Sequence, residues 1–106
     1  MRRENRLKVT PSSGNVFRDL GFPAEEAEHL LVRADLLIHL QKVIASRDMT
    51  QAQIARMLRV TQPRVSDLLR GRIDLFSTDG LIDMLARLGV HVRLVVKSSR
   101  RRLKVA

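Results

Sequence analysis

Nine hydrogen-bonding or compact side chains crowd into the 22 residues from Gln51 to Arg72: Gln51, Thr61, Gln62, Pro63, Arg64, Ser66, Asp67, Arg70 and Arg72. They do not offer catalysis. No glycine-framed elbow surrounds a candidate serine nucleophile, and no glycine pattern cradles a phosphate. His29, His39 and His91 lie far apart with no HExxH or comparable ligand spacing, so surface or satisfied-core roles outweigh metal binding. What the nine residues can do is recognise. A glutamine amide pairs bidentately with adenine, a guanidinium pairs with guanine, and a proline ring packs on a thymine methyl. The chain reads as a non-enzyme with neither metal nor cofactor.

Two short helices at a fixed angle would position them. Counted from Gln51, the fourth residue is Ile54, the fifth the small Ala55, the eighth Leu58, the tenth Val60, the fifteenth Val65 and the eighteenth Leu68. The small residue lets one helix cross closely over the other, and the apolar ones fill the angle between them. Thr50 and Gln53 form a T-x-x-Q capping box, which predicts that the first helix begins near Gln51. Thr61 is an N-cap for the second, and Pro63 fits a first turn, where its missing N–H had no intrahelical partner. The residue between them, where glycine commonly allows positive φ, is Arg59. A side chain there costs roughly 1 kcal/mol and predicts a strained or reshaped turn.

The spacing is that of a helix-turn-helix, whose second helix sets its N-terminal end against base edges in the major groove. Val65, Leu68 and Leu69 are expected to point inward. Pro63, Ser66, Asp67 and Arg70 fall on the opposite arc, with Gln62 and Arg64 on its flanks. Base reading is assigned to Gln62, Pro63 and Arg64. Gln51, at a helix N-terminus, is placed to hold a phosphate, and Arg70 and Arg72 add phosphate contacts. Arg56 and Arg59 read as backbone contacts or plain surface. Asp67 has two readings: it accepts from cytosine N4, or it bridges Arg64 and Arg70, and the second is favoured because phosphates repel a carboxylate.

The bulk properties agree. With 106 residues and no cysteine, the chain predicts one domain that needs no disulfide or Cys-ligated zinc. No apolar run approaches the ~20 residues of a membrane span, and a soluble cytoplasmic protein is expected. Twenty basic and 11 acidic residues give a net charge of +9, which favours a polyanionic partner. The excess is uneven. Residues 36–75 carry seven basic and three acidic groups and residues 91–106 carry six and none, whereas residues 11–35 carry two and five. RNA is the weaker choice of polyanion, because three Phe and no Tyr or Trp leave little for stacking single-stranded bases.

Along the chain, residues 1–14 read as a flexible basic arm, residues 15–97 as the helix-turn-helix domain with its extensions, and residues 98–106 as a basic disordered tail. The stretch of residues 15–23 suits a single helical turn closed by Gly21. A long helix is expected from about Ala24 to Ser46, opened by Pro23, with Glu25 and Glu26 in its first turn where the dipole favours anions. Ser77 caps a further helix carrying Leu81, Ile82, Leu85 and Leu88, which Gly89 ends. Val90, Val92, Leu94 and Val96 then alternate with other residues as a strand does. One strand is unstable alone, so it must pair with another chain or with an N-terminal segment such as Leu7-Lys8-Val9. The fold class is mainly α: a helix-turn-helix bundle that resembles the lambda-repressor-like family, with a long N-terminal helix and one C-terminal β-strand. Phe17, Leu20 and Phe22 read as a clasp over the chain's own core or, with Glu25 and Glu26, as a partner-binding surface.

The Gln51–Arg72 block resembles the XRE (Cro/lambda-repressor-like) family, whose TQ-x-x-x-A…TQ-x-x-[VI]-S-x-L-x-[RN]-G cadence it follows except at Arg59. A wider stretch resembles the HigA-type antitoxin branch: Ser13-Gly14-Asn15-Val16-Phe17-Arg18-Asp19-Leu20-Gly21-Phe22, then Arg33-Ala34-Asp35-Leu36, Leu69-Arg70-Gly71-Arg72 and Val92-Arg93-Leu94-Val95-Val96. The resemblance implies a homodimer on a palindromic DNA operator in its own promoter. It also implies an antitoxin that neutralises a RelE-like mRNA-cleaving toxin; the alternative is a stand-alone XRE-family repressor. Dimerisation is expected through the strand Val90, Val92, Leu94 and Val96, or second through the long helix.

Overall fold

A computed structural model describes residues 5–9 and 16–98. In chain order these form β1 (Asn5–Val9), α1 (Val16–Asp19), α2 (Ala24–Ala45), α3 (Gln51–Leu58), α4 (Gln62–Leu69), a 3-10 turn (Ile73–Leu75), α5 (Thr78–Arg87) and β2 (Val90–Leu94). The bundle is mainly helical, as the periodicity predicts. Gly21 follows α1 with φ +98°, a conformation an L side chain rarely adopts, and the chain then extends through Pro23 into α2. At the far end of α2 the Ser46 hydroxyl donates to the Val43 carbonyl at 2.6 Å.

Leu36, Leu37, Leu40 and Ile44 of α2 pack with Ile54, Ala55 and Leu58 of α3, Val65 and Leu68 of α4, Phe76, Leu81, Met84, Leu85, Leu88 and Val90 in one apolar core. Met84 joins it although the sequence pattern did not single it out. Leu69, expected inside, lies at the surface instead at 38% exposed, and Ile38 of α2 is 45% exposed. In both places a neighbour already fills the inward direction, Leu37 on α2 and Leu68 on α4.

No polar or charged side chain is buried among the described residues. Polar groups work at the rim of the core, on the last carbonyls of the helices. Arg87 donates to the Leu58 carbonyl at 3.0 Å, Gln41 to the Leu68 carbonyl at 2.9 Å, and Arg47 to the Leu88 carbonyl at 2.6 Å. These are the ends of α3, α4 and α5, where unpaired carbonyls and the negative end of the helix dipole favour a donor or a cation.

β2 ends at Leu94, short of the expected Val96, and pairs in parallel with β1, from Asn5 opposite Val90 to Val9 opposite Leu94. The partner is therefore the N-terminal segment of the same chain. Residues 5–9 depart in this from the flexible arm expected over 1–14; the rest of that arm, and the tail beyond Ser98, lie outside the described residues. Val90 is 6% exposed, Leu94 54% and Val96 93%, so the strand leaves the core as it runs.

Candidate nucleic-acid interface

The first helix of the pair begins where the spacing puts it. Gln53 N donates to Thr50 Oγ1 at 3.1 Å and Thr50 N donates to Gln53 Oε1 at 2.9 Å, closing the capping box. Arg59 then takes φ 61°, ψ 44°, the left-handed region, and is the single non-glycine residue with positive φ among those described. The turn is strained, not reshaped. Thr61 opens α4, with Oγ1 accepting from Arg64 N at a long 3.4 Å, and Pro63 sits in its first turn. Val65 and Leu68, 0% and 1% exposed, face the core that also holds Ile54, Ala55 and Leu58. At ~1.5–3 kcal/mol for each large apolar side chain removed from water, this burial fixes the angle between the two helices.

Thr61, Gln62 and Pro63 stand together and exposed at the N-terminal end of α4. Gln51 is exposed at the N-terminal end of α3, and Arg70 and Arg72 are exposed beyond the other end of α4. Ser66 and Asp67 are half-buried. Arg70 Nη2 donates to Ser66 Oγ at 3.0 Å, and Arg72 Nε lies 4.0 Å from Asp74 Oδ1 in an open ion pair worth ~0–1 kcal/mol.

Arg64 makes two contacts within its own chain that the sequence reading does not contain. Its Nη1 donates to the Leu75 carbonyl at 3.0 Å, and its guanidinium carbon lies 4.4 Å from the centroid of the Phe76 ring. The expected Asp67 bridge is absent among the described residues, because Arg64 is engaged with the 3-10 segment and Arg70 with Ser66. Sequence reasoning also missed Gln41, which holds the other end of α4, and Arg33, whose Nη1 donates to the Phe76 carbonyl at 3.4 Å. Arg33 is 43 residues from that carbonyl, so no local spacing could reveal it.

A second surface lies at the start of the chain's helical part. The Phe17 and Phe22 rings meet edge to face at 6.1 Å and 73°. Phe17 is half-buried, whereas Leu20 is 69% exposed and Phe22 40%. Glu25 and Glu26 beside them are exposed. Further along α2, burial pushes the Asp35 carboxyl above its ordinary value, and His39 offsets part of that rise.

A sequence family described as "Helix-turn-helix domain" matches residues 16–97. The chain belongs to that family, and its match runs well past the two signature helices into α2, α5 and β2. A solved structure described as "Putative XRE Family Transcriptional Regulator" is similar at 30% identity and a TM-score of 0.65, over 72% of this chain and 85% of that one. The protein is thus a helix-turn-helix protein of the XRE type, a class of DNA-binding transcriptional regulators. Comparison with curated proteins gives no match.

Proposed function

We propose that this protein is a homodimeric autorepressor that reads a palindromic operator in double-stranded DNA through α4. One observation carries the reading: the N-terminal end of α4 presents Gln62 and Pro63 to solvent while Val65 and Leu68 lock the helix to the body. Gln62 pairs with adenine and Pro63 packs on a thymine methyl, with Thr61 and Ser66 beside them. Gln51 at the start of α3, together with Arg70 and Arg72, holds phosphates, and Asp67 accepts from cytosine N4. The dimer forms along the edge of β2 that β1 leaves free, or through α2. Its two α4 helices then meet half-sites about 34–36 Å apart on one face of the duplex.

The test is a gel shift on the DNA upstream of the protein's own gene. The wild-type protein should prefer that DNA over a scrambled duplex, and Gln62→Ala should relax the preference at one base pair in each half-site. Equal affinity for both duplexes sinks the reading.

The same protein, on this proposal, is the antitoxin of a pair and holds a RelE-like mRNA-cleaving toxin inactive. The exposed Leu20 and Phe22 beside Glu25 and Glu26 support a surface for a basic partner. Co-expression with the product of the adjacent gene should give a complex that Leu20→Glu weakens. No complex and no rescue of growth leaves the stand-alone repressor, which the DNA-reading surface supports equally.

A further inference from the structure

We infer that Arg64, although it lies in the first turn of the reading helix, is a positioning residue and not a base reader: with Gln41 it straps α4 to the body at both ends. The inference rests on the DNA-binding reading above. At the N-terminal end, the guanidinium lies over the face of the Phe76 ring at 4.4 Å and donates to the Leu75 carbonyl at 3.0 Å. Phe76 is 3% exposed, so the ring that holds Arg64 is itself fixed in the core. The same segment is gripped from α2, where Arg33 donates to the Phe76 carbonyl at 3.4 Å. At the C-terminal end, Gln41 of α2 donates to the Leu68 carbonyl at 2.9 Å.

The apolar core sets the distance and crossing angle of α4, but its attraction is non-directional and constrains rotation of the helix about its own axis less tightly. Two directional contacts at opposite ends supply what the core lacks. Reaching a guanine edge would require Arg64 to give up both the ring and the carbonyl. The donors of its fork that remain can meet a phosphate from where they are, and a phosphate contact carries no sequence information. Sequence reading then falls to Gln62 and Pro63, whose side chains are exposed.

The test combines melting of the free protein with selection of preferred sites from a random duplex pool, read at a temperature where every variant is folded. Arg64→Ala should lower the melting temperature by about 4–8 °C. Its affinity for the selected site should fall roughly tenfold, with discrimination lost evenly across the half-site. Phe76→Leu, which alters a residue that DNA does not touch, should give the same even loss. In the Phe76→Leu background, Arg64→Ala should cost little more, since both changes cut one strap.

An unchanged melting temperature together with relaxed preference at a single base pair overturns the inference. So does a full, additive effect of Arg64→Ala in the Phe76→Leu background. If Phe76→Leu fails to fold, the melting and selection profile of Arg64→Ala alone decide. If the wild-type protein selects no site, the DNA reading fails, and melting of the two single variants and the double variant still decides whether the strap exists.

Discussion

The two halves of α2 lie in different surroundings. From Leu36 to Ile44 the helix contributes four side chains to the continuous core shared with α3, α4 and α5. Before Leu36 only Ala27 and Leu31 are buried, and α1, which precedes it, buries no residue at all. The same helix is thus a structural wall at one end and a presented surface at the other. The contrast divides the work. A helix that reads DNA must be held rigidly, so its neighbourhood is apolar within and strapped at the rim. On the antitoxin reading proposed above, Leu20 and Phe22 stay in water until a partner covers them.

Core truncation gives the largest expected effect on this contrast. Leu68→Ala should lower unfolding free energy by about 2–5 kcal/mol in a denaturant titration, and Leu20→Ala should stay within about 0.5 kcal/mol. A comparable loss at Leu20 would show that its side chain is packed as the core is, and the contrast would fall. Next comes the capping box. Thr50→Ala should cost about 1 kcal/mol in the same titration, because Gln53 N loses its acceptor at the start of α3. A smaller gain is expected at the turn. Arg59→Gly should raise stability by up to ~1 kcal/mol by relieving the left-handed backbone, whereas Arg59→Val should lower it.

The smallest effect concerns Asp35, just before the boundary between the two halves. Burial raises its carboxyl pKa, so the folded protein holds that proton more tightly than the unfolded chain does. Stability from this group is therefore greatest in acid and falls as pH rises from the ordinary carboxyl range through the raised value. Asp35→Asn should melt at or slightly above the wild type at pH 7, and the difference should close in acid. A variant that melts lower at pH 7 would assign Asp35 a contact that needs its charge.

The helix-turn-helix was legible in the sequence because its chemistry is local. Thr50, Gln53 and Thr61 satisfy backbone groups three residues away, and apolar spacing reports a helical face directly. Even the exception at Arg59 was visible, as a side chain where glycine is usual. Over-assignment came where two adjacent leucines compete for one inward direction: periodicity does not say that Leu68 wins and Leu69 loses. What could not be read were the long-range hydrogen bonds. Arg33, Gln41 and Arg64 look like surface residues in sequence, and carbonyls 43, 27 and 11 residues away give them their roles. The pairing of β2 was narrowed to two choices, and the N-terminal segment of the same chain satisfies its backbone.

That pairing also has a consequence in time. β1 is made first, and residues 10–89 separate it from its partner β2. At about 5–20 residues per second, those 80 residues take roughly 4–16 s to synthesise. Helices and short loops close within microseconds. On the ribosome, α2 to α5 can therefore assemble while β1 still waits with its backbone unpaired. During those seconds the nascent chain carries an open template for any other extended segment, and completion of β2 is the event that closes it.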